Sequence, residues 1–169
     1  MTEVYAEGPD VVRIADAVSA EDLESVRGLM TEYAKALGVD LSFQNFSAEL
    51  ERLPGTYTRP AGILLLARVR AGVAGCVALQ AWQSPAIAEL KRLYVRPEYR
   101  GQQIGHRLIS AALSFARAAG YREVWLDTLP EMRTAQAMYI SLGFRPIGAY
   151  RENPVPGASY FALDLDARR

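Results

Sequence analysis

The 169-residue chain has one cysteine, Cys76, so no disulfide closes within it and a cysteine-rich zinc site is excluded. It has no excess of charge of either sign: 19 Lys and Arg balance 19 Asp and Glu. Net charge therefore gives no argument for nucleic acid or an anionic membrane, although a local basic patch remains allowed. Long apolar runs are missing too. The longest, Ala61 to Ala67, is far too short to span a bilayer. The opening stretch, MTEVYAEGPDVVR, has no apolar core behind basic residues and does not read as a signal peptide. A lone cysteine fits a reducing compartment, so the expected location is cytoplasmic. What the chain does have is ordinary for a globular protein, 50% apolar and 22% charged residues. Its length suits one domain over residues 1–169.

Periodicity orders the elements. Val11 to Ile14 reads as a strand. Ser19 and Asp22 form a loose capping box before a helix whose inward face is Leu23, Val26, Met30, Tyr33, Ala34 and Leu37, with Gly38 at its end. Phe43 to Leu53 reads as a second short helix with Phe43, Phe46 and Leu50 inward, stopped by Pro54-Gly55. Gly62 to Arg70 and Val73 to Trp82 form a hairpin pattern, Ser84-Pro85 breaks the second run, and Ala88 to Val95 is the next strand. Ile104 to Ala119 is a helix with Ile104, Leu108, Ala111, Ala112 and Phe115 on one face and Gly120 at its end. A strand over Glu123 to Thr128, a helix over Glu131 to Leu142 capped by Gly143, and strands over Arg145 to Ala149 and Tyr160 to Leu165 complete the order β-α-α-β-β-β-α-β-α-β-β. Hairpins and single crossovers in one sheet make an α/β (or α+β) domain.

The segment VRPEYRGQQIGHRLISAAL, residues 95–113, carries the chemistry. A strand ends at Tyr94-Val95, and residues 100–105 run straight into a helix. The first amides of a helix lack internal partners, and its dipole adds positive potential there. Gly101 and Gly105 remove Cβ bulk so that N–H groups can close on an anion, and Arg100 adds a guanidinium at the same mouth. Three or four charge-assisted bonds of roughly 1.5–3 kcal/mol each supply much of the roughly 8 kcal/mol behind a micromolar site. Without a Gly-Lys-Ser/Thr ending the loop is no Walker A motif, and it is no Gly-x-Gly-x-x-Gly after a first strand. ATP and NAD are therefore poor candidates.

Leu-Tyr-Val-x-Pro followed by Arg-Gly-x-x-Ile-Gly-x-x-Leu resembles the coenzyme A loop of the GCN5-related N-acetyltransferases, with Arg100 and Gly105 on the family pattern. The middle glycine of that pattern is Gln103 here, which keeps the amide but demands ordinary backbone angles. A second signature, Ala135-x-x-x-Tyr139-x-x-x-Gly143-Phe144, also resembles the family, with Met132 where the family has Asn. The element order agrees over nearly the whole chain. The resemblance implies a mixed, mostly antiparallel sheet of six or seven strands, splayed between strands 4 and 5, with about four helices on its two faces. It implies acetyl-CoA as co-substrate and no metal. The pantetheine arm would add along the backbone of Leu93, Tyr94 and Val95, with the Val95 amide as oxyanion donor, and face Met132 and Ala135. Arg100, Gly101, Gln102, Gln103, Ile104, Gly105 and His106 would surround the diphosphate. His106, the only histidine, is expected as a partly exposed helix residue rather than a catalytic one.

Acyl transfer to an amine needs deprotonation of the amine, a donor for the developing oxyanion and a proton for the leaving thiolate. By resemblance Tyr139 supplies that proton; from the residues alone it reads equally as a core tyrosine. Glu89 shares a strand face at period two with Lys91, Leu93 and Val95. It stands where some relatives carry a base, four residues before Leu93; the other reading is a carboxylate paired with Lys91 or Arg92, and a water chain replaces such a base in many relatives. Cys76 reads as a small core residue. For the acceptor, Tyr57, Arg59, Tyr150, Arg151 and Asn153 come from loops that flank the family's cleft, although both arginines also read as solvated loop charges, and Asp127 ends a strand on the sheet's active edge where it could bind an amine. They suit a small polar amine, such as an amino acid whose carboxylate meets Arg59 or Arg151. A protein N-terminal or lysine acetyltransferase, and an inactive coenzyme A-binding module, are the competing readings. No nucleic acid or membrane partner is expected, and homodimers are frequent in the family.

Overall fold

The computed structural model describes residues 11–38, 40 and 45–167. Seven strands form one sheet: β1 (Val12–Asp16), β2 (Ile63–Val69), β3 (Gly72–Trp82), β4 (Ser84–Val95), β5 (Glu123–Thr128), β6 (Arg145–Ile147) and β7 (Ser159–Asp164). The four helices are α1 (Ala20–Leu37), α2 (Phe46–Arg52), α3 (Ile104–Ala118) and α4 (Arg133–Ser141). The strand order is β1-β2-β3-β4-β5-β7-β6. Every neighbouring pair is antiparallel except β4 with β5, which are parallel and joined by a crossover through α3. This is the mixed, mostly antiparallel sheet expected from the sequence. Phe43, read as an inward helix residue, lies outside the described residues.

Alternation along the strands divides the core in two. Ile63, Leu65 and Ala67 of β2 turn to the face covered by Ile104, Leu108 and Ala112 of α3, by Tyr139 of α4 and by Leu142 just after it. Leu64 and Leu66, one residue out of phase, turn to the face covered by Val26, Leu29 and Met30 of α1. The helix ends obey their local chemistry. Asp22 N–H donates to Ser19 Oγ at 3.1 Å while Ser19 N–H donates to Asp22 Oδ2 at 3.3 Å, completing the capping box. Gly38, Gly120 and Gly143 take positive φ at the ends of α1, α3 and α4.

Two sequence expectations about β4 are corrected. The run from Val73 ends at Trp82 as expected, but the next strand does not wait for Ala88: β4 begins at Ser84, and Pro85 lies inside it. The β3 register jumps from Ala81↔Ala88 to Trp82↔Ser84, so residues 85–87 have no β3 partner and the missing proline N–H costs no ladder bond. The second correction concerns faces. Pairing passes from Ala78↔Lys91 to Cys76↔Tyr94, so β4 carries one extra residue. Arg92 absorbs it with φ of 61°. One inserted residue reverses the alternation. Glu89 and Lys91 therefore face away from Leu93 and Val95, which pack on the α3 side. A left-handed non-glycine residue costs about 1–2 kcal/mol. Arg92 is held there by a forked bond to Glu49 of α2, at 2.6 Å and 3.0 Å to Oε2. Its guanidinium also sits 5.1 Å over the Phe46 ring.

The sheet opens where the bulge begins. β4 and β5 pair only over Ile87↔Glu123, Ala88↔Val124 and Glu89↔Trp125. Beyond that point β4 stays with β3 as far as Gly75↔Val95, while β5 stays with β7 as far as Thr128↔Ser159. A V-shaped gap is left between them.

Candidate active site

The opening of α3 lies beside the end of β4. Gly101 has φ of 80°. Gln103 is also left-handed, with φ of 59° and ψ of 21°, and makes no side-chain cap. The ordinary backbone angles expected for Gln103 are thus not found; turning the chain into the helix outweighs the roughly 1–2 kcal/mol steric cost at this residue. The first helical bond is Arg107 N–H to Gln103 O at 3.0 Å, and no described residue accepts from the amides of residues 101–106. Gln102 and His106 are exposed, and Ile104 is buried under the turn. A Cβ on Gly105 would stand 3.5 Å from Met138 Cε and 3.7 Å from Val95 Cγ2, so α3 starts close against both β4 and α4. Arg100 Nε donates to Val95 O at 3.0 Å, holding its guanidinium at this corner.

Strand geometry fixes the polar edge of the gap. Arg96 N–H donates to Ala74 O of β3 at 2.9 Å. Successive backbone groups point to opposite edges, so the Val95 amide faces the gap. Tyr94, just before them, buries its ring on the α1 face. A slot of about 50 Å³ runs along the gap, lined by Tyr33, Lys91, Arg92, Leu93, Asp127, Thr128, Met132 and Tyr139 among others. Tyr139 is 5% exposed, with ring centroids 5.7 Å from Phe144 and 6.3 Å from Phe161. Its hydroxyl bonds to no described residue, and burial pushes its pKa up. Thr128 Oγ1, on the opposite wall, is buried without a partner. Ala135 packs behind Tyr139 in α4.

Glu89 is wholly buried. Its carboxylate accepts from Gln80 Nε2 at 3.1 Å, Tyr150 Oη at 2.8 Å and Arg151 Nη2 at 2.7 Å. The expected partners Lys91 and Arg92 are not the ones found: Arg92 turns to Glu49, and the loop after β6 delivers Arg151 from across the gap. Arg151 stacks 4.4 Å above the Trp82 ring, and Tyr150 packs edge-on to Trp82 and Tyr160. Asn153 Nδ2 donates to Asp127 Oδ2 at 3.3 Å, so the same loop also reaches the slot wall.

A wider groove of about 280 Å³ opens on the α2 side, lined by Glu49, Arg52, Thr56, Tyr57, Gln80 and Lys91 among others. Tyr57 donates its hydroxyl to Glu49, whose charge, after burial, pushes the phenol pKa up. Arg59 is not brought here. It forks onto Asp16 at 2.6 Å and 3.2 Å and lies 5.1 Å over Phe115, on the α3 side of the sheet. Lys91, Thr128 and Tyr33 line the slot and were missed as site residues. Lys91 alone had a signal, an alternating place two residues after Glu89. Cys76 is fully buried beneath the bulge, and burial pushes its thiol up to about 12, which leaves it inert.

Bare amides at the start of α3, beside the end of β4, and an unpartnered Thr128 hydroxyl and a free Tyr139 hydroxyl along the slot fit the diphosphate, pantetheine and thioester of acetyl-CoA. Among the described residues no group of three or more His, Cys, Asp or Glu side chains could hold a metal, and no helix is long and apolar enough to cross a membrane. The model of the acetyltransferase (GNAT) family matches residues 27–144. The chain is 37% identical over 158 residues to an uncharacterised N-acetyltransferase of Schizosaccharomyces pombe, covering 93% of this chain and 97% of that one. Its fold is similar to that of a GNAT-family acetyltransferase of Staphylococcus aureus, with a TM-score of 0.78 at 19% identity over 92% of this chain and 99% of that one. It is also similar to an aminoglycoside 6'-N-acetyltransferase complexed with coenzyme A, with a TM-score of 0.69 at 17% identity over 92% and 98%. The chain belongs to the acetyltransferase (GNAT) family and is an acetyl-CoA-dependent N-acyltransferase.

Proposed function

We propose that the protein moves an acetyl group from acetyl-CoA to the primary amine of a small molecule by direct attack, with both substrates bound together. The observation that carries this reading is the gap between β4 and β5: α3 starts with bare amides beside the end of β4, and the slot along the gap holds Tyr139 and meets the groove at Lys91. Acetyl-CoA, when bound, supplies an activated carbonyl on a thiol leaving group. The protein supplies the rest. The α3 amides and Arg100 bind the diphosphate. The Val95 N–H is the donor for the carbonyl oxygen. Tyr139, kept protonated by burial, gives its proton to the departing sulfur.

The acceptor occupies the groove, whose volume suits a ligand smaller than a drug. Its buried position keeps Glu89 from touching an amine there. We assign Glu89 the holding of Arg151 and Tyr150, and the amine's proton leaves along the groove to solvent. Thiol release from acetyl-CoA across a panel of small amines tests the reading, with products read by mass. One or more small amines gaining a single acetyl group is the expected result. Acetylation confined to protein N-termini or lysines, or no thiol release at all, would overturn it.

A further inference from the structure

Lys91 is the charge this site leaves over. It lines both the slot and the groove, so it stands at their junction. The other charged groups on this face of β4 are matched: Arg92 forks onto Glu49, and Arg151 holds Glu89. Lys91 forms no ion pair or hydrogen bond with any described residue, and Arg52, on the groove rim, has none either. Asp127, the carboxylate lining the slot, receives the amide of Asn153. The walls thus carry Lys91, Arg92 and Arg52 against Glu49 and Asp127; with Arg92 matched by Glu49, two cations, Lys91 and Arg52, remain against the one carboxylate of Asp127. Arg59 and Arg151, the sequence candidates for meeting a carboxylate, are already engaged by Asp16 and Glu89.

We propose that Lys91 is the anchor for a carboxylate on the acceptor, so that the substrates are amines that also carry a carboxylate, with amino acids as the simplest case. This rests on the small-molecule reading above. A half-buried ammonium without a partner is unfavourable, and an anion supplied by the ligand removes the cost. Burial, and then the nearby Arg92 charge, lower the Lys91 pKa, against the opposing pull of the Glu89 and Glu49 carboxylates, both already engaged by arginines. A ligand with both groups matches the two ends: its carboxylate at Lys91, with Arg52 behind it, and its amine toward Asp127 and Tyr139 in the slot. The geometry makes Lys91 a specificity determinant and gives it no part in the bond changes.

The test compares an amino acid with its α-carboxamide, two acceptors of nearly the same size that differ in this charge, with each rate referred to the concentration of free amine because the carboxamide also lowers the amine's pKa. Wild type is expected to favour the acid by roughly tenfold or more in kcat/KM, mostly through KM, as a charge-assisted bond allows. Lys91→Met should bring that ratio to within about threefold of one, and Lys91→Arg should restore most of it. A wild-type ratio near one, or a preference that survives Lys91→Met, overturns the inference. Calorimetric titration with succinate, which has carboxylates and no amine, reads the anchor without turnover. Binding to wild type that is lost in Lys91→Met supports the anchor even if no amine is acetylated, a result that would sink the transferase reading alone. Acetylation of amines with no Lys91-dependent succinate binding would do the reverse.

Discussion

Tyr139→Phe should lower kcat by roughly 10²–10⁴-fold, the usual contribution of a positioned general acid, and leave the fold intact. The phenylalanine ring keeps the contacts with Phe144 and Phe161 that seat α4 on the sheet. The hydroxyl bonds to no described residue, so removing it orphans no buried partner there. The KM for acetyl-CoA should move little, because the proton is needed only as the C–S bond breaks. The sign of the pH dependence follows from burial. A phenol whose pKa is raised from 10.0 holds its proton through neutral pH and loses it only as pH climbs past the raised value. The alkaline limb of the wild-type kcat profile should therefore show no decline from Tyr139 below about pH 10. Thermal melts of the two proteins should agree within a few degrees. Wild-type kcat in Tyr139→Phe would remove Tyr139 from the mechanism.

Glu89→Ala should destabilise the protein by about 3–5 kcal/mol, the cost of leaving a buried charge without its counter-ion. The Arg151 side chain is only 15% exposed and stacks over Trp82, so its charge would lose its counter-ion in a largely buried place. Tyr150 and Gln80 lose an acceptor in the same step. For a chain of this size the melting temperature should fall by roughly 6–20 °C. The double variant Glu89→Ala with Arg151→Met should regain most of that loss, since it removes both charges. Catalysis separates the two roles of the carboxylate. As a positioning residue, Glu89 leaves the shape of the pH profile of kcat/KM unchanged in Glu89→Gln while the rate falls. As the base, its loss would abolish the acidic limb, and that outcome would return the role to it.

The parts of this architecture set by local periodicity could be read directly from the sequence. The three-and-four spacing from Ile104 to Phe115 gave α3 its buried face, and the spacing from Ala135 to Gly143 placed Tyr139 inward. The bare amides of α3 followed from its being a helix start, and Gly101 and Gly105 marked where an anion could approach them. What stayed hidden is set by contacts distant in sequence. Arg151 meets Glu89 from 62 residues away, and Arg92 meets Glu49 from 43 away. Neither pairing has a local signature. The bulge at Arg92 is a single inserted residue with no glycine to mark it, yet it turns Lys91 and Glu89 to the face opposite Leu93 and Val95. The same event makes Lys91 a groove residue, which a strict two-residue alternation conceals.

The central claim is that the first turn of α3 grips a diphosphate and so sets a thioester beside Tyr139. Calorimetric titration of coenzyme A, set against pantetheine, which lacks the diphosphate, tests it most directly. Coenzyme A should bind with a Kd of about a micromolar, and pantetheine roughly a hundredfold or more weaker, the equivalent of one or two charge-assisted bonds lost. Equal affinity for the two, or no heat with coenzyme A, would contradict it.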